Sequence, residues 1–106
     1  MADRAAEALR IERVDATRVR VSGVLGFAEA GTAYKRSDEV FGNGGGGAVE
    51  LDVSGLQRVD SATLAVLLAW AARAATSGRS LRLAGTPSGL RALAHLCGVE
   101  PLLGIA

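Results

Sequence analysis

The stretch LDVSGLQRVDSATLAVLL, Leu51 to Leu68, changes period in its middle. Leu51 and Val53 alternate with Asp52 and Ser54, the two-residue repeat of a strand with one buried face. From Leu64 onward the apolar residues recur at three- and four-residue steps, the repeat of a helix packed along one stripe. Asp60, Ser61 and Thr63 stand between the two. A helix opening at Asp60 or Ser61 leaves the amides of its first turn without partners. Asp60 suits the N-cap, accepting from the amide of Ala62 or Thr63, a contribution of about 1 kcal/mol. Ser61, at the first helical position, points its hydroxyl outward at the positive end of the helix dipole, where a phosphate would be stabilised. It reads either as an ordinary first-turn serine or as a phosphorylation site.

Outward from this junction the chain alternates between the two periods. Leu9, Ile11 and Arg13, then Thr17, Val19 and Val21, read as two strands joined by a turn at Asp15. Ala30, Ala33, Tyr34, Ser37, Val40 and Phe41 share one face of a helix expected over Ala28 to Phe41. Gly42 to Gly47 end it. These glycines precede a strand and lack the Lys-Ser/Thr of a nucleotide loop, so they read as a connector rather than a phosphate cradle. AVELDVSG is the next strand. Its polar Glu50 and Asp52 suggest an edge or a polar loop beside it. The helix from Asp60 or Ser61 runs to about Thr76 and is closed by Ser77-Gly78; SLRLAG is a further strand. Thr86 is expected to cap a last helix, with Pro87 at its first position and Gly98 just past its end. Leu90, Leu93, Ala94 and Cys97 form its apolar stripe, and VEPLLGIA ends in a short helical turn. The order β-β-α-β-α-β-α implies an antiparallel opening hairpin followed by parallel pairing.

A chain of 106 residues, 49% hydrophobic and 22% charged, is expected to fold as one domain. Its net charge of +1, with scattered Arg and Lys, gives no footprint for nucleic acid. The N-terminal MADRAAEALR lacks the apolar core of a secretory signal. The longest apolar run, Leu64 to Ala72, is far short of the roughly 20 residues that span a bilayer. A cytoplasmic protein without direct membrane insertion is expected. The one cysteine excludes an internal disulfide and a cysteine-rich metal site. His95 projects away from the stripe of its helix, with no ligand cluster in the sequence around it, and Cys97 reads as core. Neither a catalytic group, a metal nor a cofactor is expected, and an enzyme is the least supported class.

The helix after the junction carries a second signal. Leu64, Leu67, Leu68, Ala71 and Ala75 form the face expected to pack on the sheet. At about 100° per residue, Ala62, Ala65, Val66, Ala69 and Arg73 fall opposite, with Trp70 at the margin. Small apolar residues and a tryptophan there point to a partner surface, or to cover by another element of the same chain.

VELDVSGLQRVDSATLAVLL resembles the STAS family, the domain shared by sulfate transporters and anti-sigma-factor antagonists. Leu51, Asp52, Val53, Ser54, Asp60 and Ser61 match its pattern, with Thr63 where glycine is usual, a change expected to crowd the approach of a partner's backbone. The element order fits from about Leu9 to Leu103. The resemblance implies an α/β STAS fold, with a mixed four- to five-stranded sheet, an antiparallel N-terminal hairpin and about three α-helices, in one domain over residues 1–106. Two branches are implied. In anti-sigma-factor antagonists the serine matching Ser61 is phosphorylated by a partner kinase, which controls binding. In the MlaB-like branch, small cytoplasmic subunits bind and support the ATPase of an ABC phospholipid transporter that maintains outer-membrane lipid asymmetry. They reach an inner-membrane permease through that ATPase. SATLAVLLAWAARAATSGRSLRLAG and LRALAHLCGVEPLL look like the second branch. The docking set it implies is Asp60, Ser61, Ala62, Thr63, Ala65, Val66, Ala69, Trp70 and Arg73, in a protein held peripherally at the inner membrane.

Overall fold

The expected hairpin forms around Asp15. Its Oδ1 accepts from the amides of Thr17 and Arg18, each at 2.9 Å, and fixes the turn between β1 (Arg10–Arg13) and β2 (Arg18–Val24). The computed structural model describes residues 8–41 and 47–105. The two strands pair antiparallel, with Ile11 opposite Val21 and Arg13 opposite Val19. β2 then pairs parallel with β3 (Gly47–Arg58), and β3 parallel with β4 (Arg79–Ala84), in the spatial order β1-β2-β3-β4. The sheet is therefore mixed, as the element order required.

β3 is not an edge strand, one of the two settings that Glu50 and Asp52 suggested. It lies between β2 and β4, and those acids are explained by a polar sheet face. Arg18, Glu50 and Arg82 are cross-strand neighbours, as are Arg20 and Asp52, whose charges lie 3.6 Å apart. The opposite face carries Val19, Val21, Val49, Leu51, Val53 and Leu81, all buried. One face packs and the other meets water, which accounts for the strict alternation.

The segment after β2 departs from the single helix expected. A 3-10 turn (Phe27–Glu29) leads into α1 (Ala30–Lys35), and after a break at Arg36 comes α2 (Ser37–Phe41). The Arg36 amide meets the carbonyls of both Thr32 and Ala33 at 3.1 Å, a tightened final turn. Gly31, Thr32, Ser37 and Asp38 are weak helix formers, so little opposes the break. It separates residues assigned to one stripe: Ala33, Ser37, Val40 and Phe41 are buried, but Tyr34 is 46% exposed.

α3 (Ser61–Thr76) packs against the sheet and α1, and α4 (Ser88–Cys97) against α3. α4 buries Leu90 and Ala94, and Gly98 closes it in the left-handed conformation at φ 69°. Two details differ from expectation. The N-cap is Pro87, one residue later than Thr86, and no side chain caps the helix. Cys97 is exposed although it is still helical and in phase with Leu90 and Ala94, so the buried stripe ends one turn earlier than expected. A closing 3-10 turn (Glu100–Leu103) seals Leu103 into the core.

Candidate functional site

The polar junction between β3 and α3 is a reciprocal cap. Asp60 Oδ1 accepts from the Thr63 amide at 3.0 Å, and Thr63 Oγ1 accepts from the Asp60 amide at 3.1 Å. The Thr63 hydroxyl donates in turn to the Leu25 carbonyl at 2.6 Å, tying the start of α3 to the end of β2. Thr63 is fully buried. The threonine at the usual glycine position therefore does not crowd a partner; its side chain is consumed inside the fold.

The same holds for the largest member of the expected docking set. Trp70 is fully buried and donates its indole N–H to the Ala33 carbonyl of α1 at 3.2 Å. Val66 is 4% exposed. Of the two readings of this helix face, cover by the same chain is what the structure has. α1 packs on α3 and meets Trp70, Thr63 is tied to Leu25, and Thr63, Val66 and Trp70, all buried, leave the candidate surface. Arg73 remains at its margin, exposed, 3.2 Å from Asp38 of α2. Such an exposed pair contributes little to stability.

What stays open along α3 is narrower. Ser61 and Ala65 are exposed, Ala62 and Ala69 half-buried. Ser61 is the first residue of α3, and its hydroxyl makes no hydrogen bond among the described residues. Leu68 is half-buried and Ala72 exposed, though Leu68 was expected to pack inward. The open stripe is thus rotated from the one first assigned, because α3 packs on α1 as well as on the sheet.

Phe27 adds the residue that sequence reasoning missed. It is 88% exposed, on the 3-10 turn beside the start of α3. Gly26, which precedes it, donates its amide to Glu29 at 2.9 Å, and this holds the turn. Phe27, Glu29, Arg58 and Asp60 rim a concavity of about 270 Å³. The available signal was an aromatic residue between Gly26 and Ala28, outside any alternating or helical stripe. A large exposed ring on the rim of a concavity suits an interface anchor.

Nearby, Asp52 holds its carboxyl below the usual 3.8, chiefly through the Ser54 amide at 3.0 Å and the Ser54 hydroxyl at 2.7 Å, with Arg20 adding to the effect. This Asp-x-Ser turn lies within β3, ahead of the junction. Among the described residues no group of His, Cys, Asp and Glu is placed to hold a metal ion. His95 does have an acidic neighbour, Glu100 at 2.9 Å, on the exposed side of α4. Of the glycine connector expected over Gly42 to Gly47, residues 42–46 lie outside the described residues, and Gly47 is the first residue of β3. No helix among the described residues is long and apolar enough to cross a membrane.

A family model described as "Mlab, STAS domain" matches residues 9–104. No curated protein matches the chain. Among solved structures, the chain is similar to the anti-sigma factor antagonist SpoIIAA in its unphosphorylated form. The identity is 21%, the match covers 93% of this chain and 88% of that chain, and the TM-score is 0.63. At that identity the likeness is one of fold: the mixed sheet, the opening hairpin and the helices.

Proposed function

The chain belongs to the STAS domain family, in its MlaB type, and on that premise we propose that it is a non-catalytic subunit that docks on the ATPase of an ABC phospholipid transporter. STAS domains are protein-interaction domains, and the MlaB type is the branch tied to such transporters. The surface that serves the contact is the start of α3 together with the turn before α1: Ser61, Ala62, Ala65 and Ala69, with Phe27 beside them. The observation that carries the reading is an 88% exposed phenylalanine on the concavity that ends at Asp60, from which an open stripe of small residues runs along α3. Small side chains let a partner's backbone approach, and the ring supplies a hot spot. Asp60 holds the surface in place through its cap. The permease is reached through the ATPase, which places the protein peripherally at the inner membrane, on the cytoplasmic side.

A second reading rests on one observation, the unbonded Ser61 hydroxyl at the first position of a sixteen-residue helix. A kinase that phosphorylates it would make the protein an anti-sigma-factor antagonist. One set of measurements separates the two. Ser61→Asp should weaken ATPase binding at least about tenfold, because a desolvated charge at an interface costs more than 1.4 kcal/mol. Its unfolding midpoint should match wild type. Unchanged ATPase affinity in both Ser61→Asp and Phe27→Ala would remove this surface from the reading. Phosphate incorporation at Ser61 by a co-purifying kinase, with no ATPase bound, would favour the second.

A further inference from the structure

β1 and β4 are the two outermost strands of the sheet. The closing turn packs on β4, where a Cβ added to Gly104 would sit 2.7 Å from the Leu81 carbonyl oxygen. β1 differs. Among the described residues it pairs with β2 and with no strand on its other side. Such an edge is a template for a further strand unless its side chains oppose one. Which strand it accepts follows from the direction of its backbone groups and the sign of its charges.

The hairpin fixes the direction. Continuing the register in which Arg13 faces Val19, Val14 faces Arg18, and its amide donates to the Arg18 carbonyl at 2.9 Å. In an antiparallel ladder, bonded and non-bonded positions alternate. Arg10 and Glu12 therefore bond to β2, whereas the N–H and C=O groups of Leu9, Ile11 and Arg13 point away from it. On the far side of β2, the Thr17 carbonyl accepts from the Glu50 amide of β3 at 2.7 Å, the alternation that this assignment requires.

The side chains select the partner. Arg10 and Glu12 are exposed on the polar face of the sheet, 3.7 Å apart. Leu9 and Ile11 are partly buried against the core. A second β1, antiparallel about a two-fold axis at Ile11, sets Ile11 against Ile11 and Leu9 against Arg13 as hydrogen-bonded pairs. It sets Arg10 against Glu12 as the closer, non-bonded pairs, with Cα atoms about 4.5 Å apart. An axis at Arg10 or at Glu12 would instead oppose like charges. An axis between residues would oppose Ile11 to Glu12, whose backbone groups β2 already uses. We propose that β1 is a homodimer contact, through which two copies of the chain join edge to edge into one continuous sheet, in register about Ile11. Arg and Glu alternate there so that the edge complements itself, where charges of one sign would repel a second copy. None of the residues assigned to the ATPase contact takes part, so the dimer does not depend on that reading.

The test is sedimentation equilibrium of the full chain, with amide hydrogen exchange followed by NMR at the same concentrations. A contact this short falls among the weak interfaces, those below about 1,200 Å², so a Kd of about 0.1–1 mM is expected. Exchange at Leu9, Ile11 and Arg13 should slow as the concentration rises, while exchange at Arg10 and Glu12 stays unchanged. Arg10→Glu and Glu12→Arg each put like charges across the axis and should weaken self-association at least about tenfold. Mixed in equal amounts, the two variants complement each other and should recover the wild-type Kd as a heterodimer. Both positions are exposed, so the unfolding midpoints should stay near wild type. A wild-type chain that is monomeric at about 1 mM would overturn the proposal. Protection of Ile11 and Arg13 in that monomer would show that the residues before Ala8 take the edge instead. Self-association unchanged in the single variants, or no recovery in their mixture, would also overturn it.

Discussion

Replacing Trp70 with alanine tests whether the residue belongs to the core or to the docking surface. The indole is fully buried between α3 and α1, and its N–H satisfies the Ala33 carbonyl at 3.2 Å. Truncation to alanine removes most of a large buried side chain and leaves a cavity, at a typical cost of about 3–5 kcal/mol. It also strands a buried carbonyl, worth about 1 kcal/mol or more if water does not reach it. A chain of 106 residues has a total stability of roughly 5–15 kcal/mol. Trp70→Ala should therefore lose about 4–5 kcal/mol, a large part of the whole. Trp70→Phe keeps most of the packing and loses the hydrogen bond, so it should cost less, about 1–3 kcal/mol. Urea unfolding followed by far-ultraviolet circular dichroism measures both, with the midpoint moving and the slope unchanged. A loss below about 1 kcal/mol in Trp70→Ala would refute the buried placement, since an exposed position costs no more than that. It would return Trp70 to the partner surface.

Three further outcomes follow from particular contacts. Asp60→Ala removes one half of the reciprocal cap and should cost about 1–2 kcal/mol in the same unfolding assay, while Asp60→Asn, which can still cap, should cost less. The Asp52 carboxyl is held below its ordinary value in the fold, so its stabilising contribution is complete above about pH 4 and is lost as the pH falls through the folded value. Stability of Asp52→Asn should fall less steeply than wild type below pH 4, and parallel profiles would count against the Ser54 and Arg20 interactions. Gly104 has φ 62°, and an added Cβ would sit 2.7 Å from the Leu81 carbonyl oxygen. Gly104→Ala should cost at least about 1–2 kcal/mol from its backbone conformation alone. It should also raise hydrogen exchange in the closing turn before the rest of the chain.

Much of the fold was legible because its causes are local. Asp15 announced its turn, the alternation of Val19, Val21, Leu51 and Val53 announced a sheet with one buried face, and Asp60 announced a helix start. The helix-face assignment failed for a tertiary reason. Periodicity shows which positions of α3 are apolar, but not that α1 returns over Trp70. A helix packed on two elements has a wider buried arc than one packed on a sheet alone. The break at Arg36 escaped notice because the apolar spacing from Ala30 to Phe41 continues through it, although Tyr34 does not follow. Phe27 escaped because it belongs to no periodic segment. The polar face of β3 suggested an edge or a neighbouring polar loop because an uncovered central strand shows the same alternation.

The candidate site was legible in its frame and less so in its membership. Asp60 and Ser61 lie where the junction put them, with Ala65 open beside them. Thr63 matters through the Leu25 carbonyl, a contact 38 residues apart in sequence that no local pattern discloses.

The most direct test of the docking account is affinity purification of the tagged chain from detergent-solubilised native cells, beside Ala65→Arg, with the captured proteins identified by mass spectrometry. The account expects an ABC ATPase together with its permease on the wild-type chain and loss of both from Ala65→Arg. A serine kinase without those subunits, or equal recovery of the ATPase by the two forms, would contradict it.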